Sequence, residues 1–72
     1  MFAMDMKRIG SKIAYYRKIR GMTQVELAEK AEMSASYISR IERGASVQGV
    51  PLTIYLRIAV TLGVTLEDLY RD

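Results

Sequence analysis

Cysteine and histidine are both absent from the 72 residues. Without cysteine there is no disulfide framework, no thiolate metal site and no cysteine nucleophile. Without histidine, most zinc ligand sets, serine–histidine catalysis and the usual general base fall away. Hydroxyls remain as nucleophiles, but none has a base to activate it. No cofactor or metal is expected, and the chain reads as a binding module, not an enzyme. Long hydrophobic runs are missing too. The longest apolar stretch, Ile58 to Leu66, is broken by Thr61, Gly63 and Thr65 and falls well short of the roughly 20 residues that span a bilayer. The N-terminus lacks the apolar core of a signal peptide. A cytoplasmic chain is expected, with no membrane partner and no small-molecule ligand.

What is present suits one small domain over residues 1–72, because two cores would need roughly twice the length. Half the residues are hydrophobic and 26% are charged, a globular composition. A domain this short buries only about 60% of its unfolded surface, so it is marginal unless well idealised or oligomeric. The net charge is +3, and its excess lies at the front: Lys7, Arg8, Lys12, Arg17, Lys18 and Arg20 stand against Asp5 alone. After Gly44 the balance reverses, with Arg57 and Arg71 against Glu67, Asp68 and Asp72. A basic half fits a nucleic acid or an acidic membrane surface. It also fits a solvated helix face, and charge alone leaves these open.

The pattern predicts five short helices and no strand, since period-2 apolar alternation is absent. The first runs from about Asp5, a candidate N-cap, to Arg20. Met6, Ile9, Ile13 and Tyr16 form its apolar face, and Gly21 ends it. The second starts at Thr23, where Thr23 and Glu26 form a capping box and Met22 can staple onto Leu27. Leu27, Ala28 and Ala31 are its inner face. The third starts at Ser34, with Met33 and Ile38 spaced as another staple, and ends at Gly44. A loop over 45–50 leads to Pro51, which suits the first position of a fourth helix ending at Gly63. Thr65 caps the fifth, with Asp68 at the capping-box position and Val64 stapling Leu69.

Only Glu32 and Met33 separate the second and third helices. So short a turn forces a steep crossing over about residues 23–44, the geometry of a helix-turn-helix. Ala28 falls where the helices approach. Ile38 and Ile41 form the narrow stripe that holds the third helix to the core. At 100° per residue, Ala35, Ser36, Ser39, Arg40 and Arg43 fall on the other side. That face has short side chains, two arginines and no acid. Such a face can enter a DNA major groove, where short residues allow close approach and arginine reads guanine. An ordinary solvent face usually mixes both signs of charge.

The stretch Thr23-Gln24-Val25-Glu26-Leu27-Ala28-Glu29-Lys30-Ala31, followed by Ser34-Ala35-Ser36-Tyr37-Ile38-Ser39-Arg40-Ile41-Glu42-Arg43-Gly44, resembles the phage Cro/repressor-type helix-turn-helix family, also called the XRE family. The resemblance continues upstream through Ile9-Gly10, Ile13, Arg17 and Gly21-Met22. Downstream it runs through Ile58-Ala59, Leu62-Gly63-Val64 and Thr65-Leu66. It implies a compact five-helix, lambda-repressor-like bundle that binds operator DNA as a dimer, bacterial or phage-encoded. Small phage repressors and restriction–modification controller proteins are the members nearest in character. The third helix would be the recognition helix. Ala35, Ser36 and Arg40 match base-reading positions, with Ser39 adjacent. Gln24 matches a residue that contacts phosphate and buttresses the recognition helix, and Arg43 matches a backbone-contacting position. The chain departs from the family at Glu32, where glycine is usual, so Glu32 is expected in a left-handed conformation.

Arg40 has the bidentate donors that suit guanine O6 and N7. Ser36 and Ala35 can touch a thymine methyl or a phosphate, or simply leave room. Tyr37 lies on the flank, where it can meet a phosphate or the groove edge, or sit half-buried in the core. Arg17 and Glu42 both fall at the edge of an apolar stripe, where a charge needs a partner. The resemblance also pairs these two positions, so an ion pair between the first and third helices is expected. On the fourth helix, Leu52, Tyr55, Leu56, Ala59 and Leu62 form one stripe, with Ile54, Ile58 and Val60 outside it. That surplus predicts cover by a second subunit, with Ile54, Ile58 and Tyr70 at the interface. The expected function is a double-stranded operator DNA-binding regulator, most simply a repressor, acting as a homodimer. The alternatives are an antitoxin that also binds a toxin, and a protein-binding adaptor with the same fold.

Overall fold

The computed structural model describes residues 6–44 and 49–71. Among these, five helices follow one another and no strand occurs: α1 (Met6–Ile19), α2 (Gln24–Lys30), α3 (Ala35–Arg43), α4 (Leu52–Leu62) and α5 (Leu66–Tyr70). The all-α expectation holds. The Asp5 cap and most of the loop read over 45–50 lie outside the described residues.

Side-chain caps start three of the helices. The Thr23 hydroxyl accepts from the Glu26 N–H at 3.0 Å, and the Glu26 carboxylate accepts from the Thr23 N–H at 2.8 Å. Thr65 and Asp68 repeat this box at 3.1 and 2.9 Å, and the Thr65 hydrogen bonds, the backbone one foremost, hold the Asp68 carboxyl below its ordinary pKa. Ser34 accepts from the Tyr37 N–H at 3.1 Å. Each cap satisfies an amide that the helix itself cannot. Pro51 differs from expectation. It stands at the cap, with φ −57° and ψ 144°, one place before the first helical residue. Its extended ψ keeps it out of the helix, while its carbonyl accepts from the Ile54 N–H at 3.0 Å.

The ends of α1, α2 and α4 share one device. Two or three residues past each helix, an N–H donates back five residues: Met22 to Arg17 at 3.1 Å, Met33 to Ala28 at 2.9 Å and Val64 to Ala59 at 3.0 Å. This closure needs a left-handed residue in between. Gly21 and Gly63 supply it for α1 and α4, but after α2 the residue is Glu32, at φ 59°. A side chain there meets the following carbonyl, which costs about 1–2 kcal/mol. Two residues after this turn begins, Ser34 caps α3.

The core is one cluster in which Ile9 and Ile13 of α1, Leu27 of α2, Ile38 and Ile41 of α3, Tyr55, Ile58 and Leu62 of α4, and Leu69 of α5 meet. The seam between α1 and α3 is unusually close. A Cβ on Gly10 would fall 2.3 Å from the Ile41 carbonyl oxygen and 2.6 Å from that of Glu42. The loss of one side chain therefore sets how near α3 lies to α1. Two long cations tie α1 to the C-terminal helices: Arg20 Nε donates to the Leu62 carbonyl at 2.9 Å, and Lys12 Nζ to that of Asp68 at 3.3 Å.

Helix α4 is rotated from the expected position. Its inner stripe is Tyr55, Ile58, Ala59 and Leu62. Ile58 is fully buried, whereas Leu52 and Leu56 are exposed. Ile58 therefore belongs to the core and not to a subunit interface. A helix apolar nearly all round has no unique inner face of its own. Here α1, α2 and α5, which all pack on α4, set its rotation.

Relieving the turn and tightening the seam should move stability in opposite directions. Glu32→Gly removes the left-handed strain and should stabilise by up to about 1 kcal/mol. Gly10→Ala forces a methyl into backbone and should destabilise by about 1–3 kcal/mol. Chemical denaturation of the three proteins measures both; a clear loss of stability in Glu32→Gly would contradict the strain argument.

Candidate nucleic-acid interface

The helix-turn-helix is fixed to α1 by one buried charge cluster. Arg17 Nε donates to Glu42 Oε2 at 2.6 Å, and Arg17 Nη2 donates to Glu42 Oε1 at 3.1 Å. The third guanidinium nitrogen, Nη1, donates to the Met22 carbonyl at 2.8 Å. Gln24 Nε2 donates to Glu42 Oε1 at 2.9 Å. The Arg17 and Glu42 side chains are 11% and 6% exposed, so water does little for either charge. Burial on this scale demands both a counter-ion and filled hydrogen bonds. The fork geometry of arginine meets that demand for a carboxylate and a carbonyl together. Four segments are joined through one carboxylate and one guanidinium: α1, the turn after it, α2 and α3.

This cluster also shapes the outer side of α3. Glu42 is the one acid in that helix, and it faces inward to Arg17. Ser36, Arg40 and Arg43 are exposed and Ser39 is half-exposed, which leaves an outer face of short and cationic side chains. Ala35, expected on the side opposite the apolar stripe, is half-buried and packs against the core.

The two arginines of α3 are held differently. Arg43 Nη1 donates to the Ser39 hydroxyl at 3.0 Å, one turn back. The Arg40 guanidinium lies over the Tyr37 ring, 5.7 Å from its centroid. Tyr37 is half-buried against the core. Behind it, burial foremost and then the nearby Tyr37 push the Tyr55 phenol above its ordinary pKa, and the Tyr55 hydroxyl donates to Met6 Sδ at 3.4 Å. Gln24 and Arg43, distant in sequence, line one open depression of about 480 Å³ with Ser11, Ala14, Tyr15, Lys18 and Glu42.

On the far side, Ile54 is half-buried and Tyr70 is exposed. Leu52, Leu56 and Val60, at 54%, 42% and 78% exposure, form an apolar row along α4. Among the described residues no group of three or more acidic, histidine or cysteine side chains is placed to hold a metal ion. No helix among them is long and apolar enough to cross a membrane. Sequence reasoning missed the Tyr37–Arg40 and Ser39–Arg43 contacts, although their i, i+3 and i, i+4 spacings on one helix are the available signals. It also missed Arg20 on α4, for which no local signal exists.

Two helices joined by a tight left-handed turn, with the second presenting a short, cationic outer face, define a helix-turn-helix domain. The chain belongs to the helix-turn-helix family HTH_3, whose profile matches residues 13–69. It is 38% identical over 65 residues to the HTH-type transcriptional regulator SinR of Bacillus licheniformis, a match covering 89% of this chain and 57% of that protein. The chain thus spans little more than half of that relative. Among solved structures it is similar to the restriction-modification controller protein C.AhdI from Aeromonas hydrophila, with TM-score 0.85, 27% identity, and coverage of 92% of this chain and 97% of that one. It is also similar to SinR, the master regulator for biofilm formation, in complex with DNA, with TM-score 0.78, 36% identity, and coverage of 85% and 95%.

The charge cluster yields a stability prediction. Glu42→Ala leaves the Arg17 guanidinium buried without a counter-ion and should destabilise by about 3–5 kcal/mol. The double variant Arg17→Met with Glu42→Leu removes both charges and should recover most of that loss. Denaturation of Arg17→Met, Glu42→Leu and their double variant, beside Glu42→Ala, gives the coupling; additive losses would mean that the pair is not a unit.

Proposed function

We propose that the chain is a sequence-specific double-stranded DNA-binding transcriptional regulator that works as a homodimer on a pseudo-palindromic operator. The observation that carries this reading is the outer face of α3, whose only carboxylate is turned inward and bound by Arg17. A face without negative charge approaches phosphates and base edges free of repulsion, and short side chains let the helix sit deep. The similarity to SinR, solved in complex with DNA, supports the same use. Ser36, Ser39 and Arg40, with Ala35 at the edge, read bases. Gln24, Tyr37 and Arg43 contact the backbone, the first and last from the shared depression, where Lys18 adds charge. Occupying a promoter is the simplest mechanism, and so the protein acts as a repressor in the cytoplasm of a bacterium.

Selection of bound sites from random duplexes, followed by affinity measurements over a salt series, tests this reading. Affinity should fall steeply with salt. Arg43→Ala should weaken all sites evenly and lower the salt slope by about one, whereas Arg40→Ala should lose about 1–3 kcal/mol of discrimination at one base pair per half-site. A flat salt response, or no preferred sequence after selection, refutes it.

The dimer uses the outer row of α4, Leu52, Leu56 and Val60, together with Tyr70 and the edge of Ile54. These side chains leave apolar surface in water that a second subunit can cover. A two-fold pair places two α3 helices about 34 Å apart, one DNA turn, and joining two half-sites raises the effective affinity. Sedimentation of the isolated protein over a concentration series should show a dimer that Leu56→Lys or Val60→Lys breaks. A monomer at tens of micromolar would instead leave the row for a different protein, such as a toxin.

A further inference from the structure

We propose that Tyr37 is a positioning residue for Arg40, holding its guanidinium in the orientation that reads a base pair. This rests on Arg40 as a base reader. Three observations carry it. The guanidinium lies over the Tyr37 ring at 5.7 Å, within the range of a cation–π contact. The ring itself is anchored, because Tyr37 packs half-buried against the core while Arg40 is exposed. No carboxylate among the described residues pairs with Arg40; the ion pairs there join Arg17 to Glu42 and Arg71 to Glu67.

The chemistry of the two contacts is compatible. The cation–π contact at 5.7 Å draws on the charge of the guanidinium and takes up none of its five N–H donors in a hydrogen bond. The arginine therefore keeps the pair of donors that meets guanine O6 and N7. A free arginine must give up rotamer freedom when it binds a base, and one already laid on a fixed ring gives up less. The neighbouring Arg43 lacks this arrangement. It donates to Ser39 through Nη1, which occupies one of its edge donors and suits a contact with a phosphate better than bidentate readout. Spacing along one helix thus separates the two arginines: i, i+3 to an aromatic for reading, i, i+4 to a serine for backbone contact.

The test uses the full chain and the duplex recovered by selection, together with duplexes changed at one base pair at a time. The pair read by Arg40 is the one whose preference Arg40→Ala loses. Tyr37→Leu and Tyr37→Met both keep an apolar anchor and remove the ring, and helical content by circular dichroism reports whether each is folded. Either should lower discrimination at that pair about two- to fivefold, the size of an exposed cation–π contact, with other positions unchanged. Tyr37→Phe should keep the discrimination, since the ring face remains. In the Arg40→Ala background, removing the ring should change nothing further at that pair. Full discrimination in both ring-less variants, a loss of discrimination spread evenly over all positions, or an equal loss of discrimination in Tyr37→Phe overturns the positioning role while leaving Arg40 a reader; an even fall in affinity for every sequence reports the phosphate contact of the Tyr37 hydroxyl instead. Preferences unchanged in Arg40→Ala itself overturn both.

Discussion

The buried pair of Arg17 and Glu42 is the constraint around which the rest of the molecule is arranged. One carboxylate oxygen receives both Arg17 and Gln24, and the remaining guanidinium edge is satisfied by the Met22 carbonyl. None of these groups can be moved far without leaving a buried charge unpaired, a larger penalty than most single packing changes. The cluster thus fixes α3 relative to both α1 and α2. It does so at the C-terminal end of α3, the end opposite the Ser34 cap. Orientation is controlled at one end by an ion pair and at the other by a two-residue turn.

That arrangement separates the two sides of a nine-residue helix. Facing inward, Ile38 and Ile41 fill the core and Glu42 meets its counter-ion. Facing outward, there is only short or cationic chemistry. Had Glu42 turned to solvent, its negative charge would lie among Ser39, Arg40 and Arg43 and weaken any anionic partner there. The pair therefore supports the fold and clears the outer surface of opposing charge in one contact. Gly10 completes the geometry, because only a residue without a Cβ lets the backbone of α1 lie against the Ile41 and Glu42 carbonyls.

Local rules carried the helix starts and stops. Thr23 with Glu26, Ser34, and Thr65 with Asp68 cap the helices they precede, and Gly21, Gly44 and Gly63 end the helices they follow. These are contacts within a few residues, so spacing in the chain is enough to find them. The left-handed backbone of Glu32 is legible from the glycine that the resembled family carries at this place, together with the two-residue gap between the helices. Pro51 lay one position from expectation because proline fits both the cap and the first helical residue, and only ψ distinguishes them.

Sequence by itself determined the all-helical class, the helix-turn-helix over about residues 23–44, the acid-free pattern of α3 and the positions of its arginines. Tertiary structure alone decided the rotation of α4, which places Ile58 in the core and Leu52 and Leu56 on the surface. It also decided which partner each long side chain takes: Arg20 on the Leu62 carbonyl, Arg40 on Tyr37 and Gln24 on Glu42. The physical reason is the same in each case. Amphipathic periodicity selects a face only when apolar and polar residues are segregated, and α4 is apolar on several sides. A flexible cation or amide can reach many acceptors along the chain, and the packed helices determine which one is within hydrogen-bond distance.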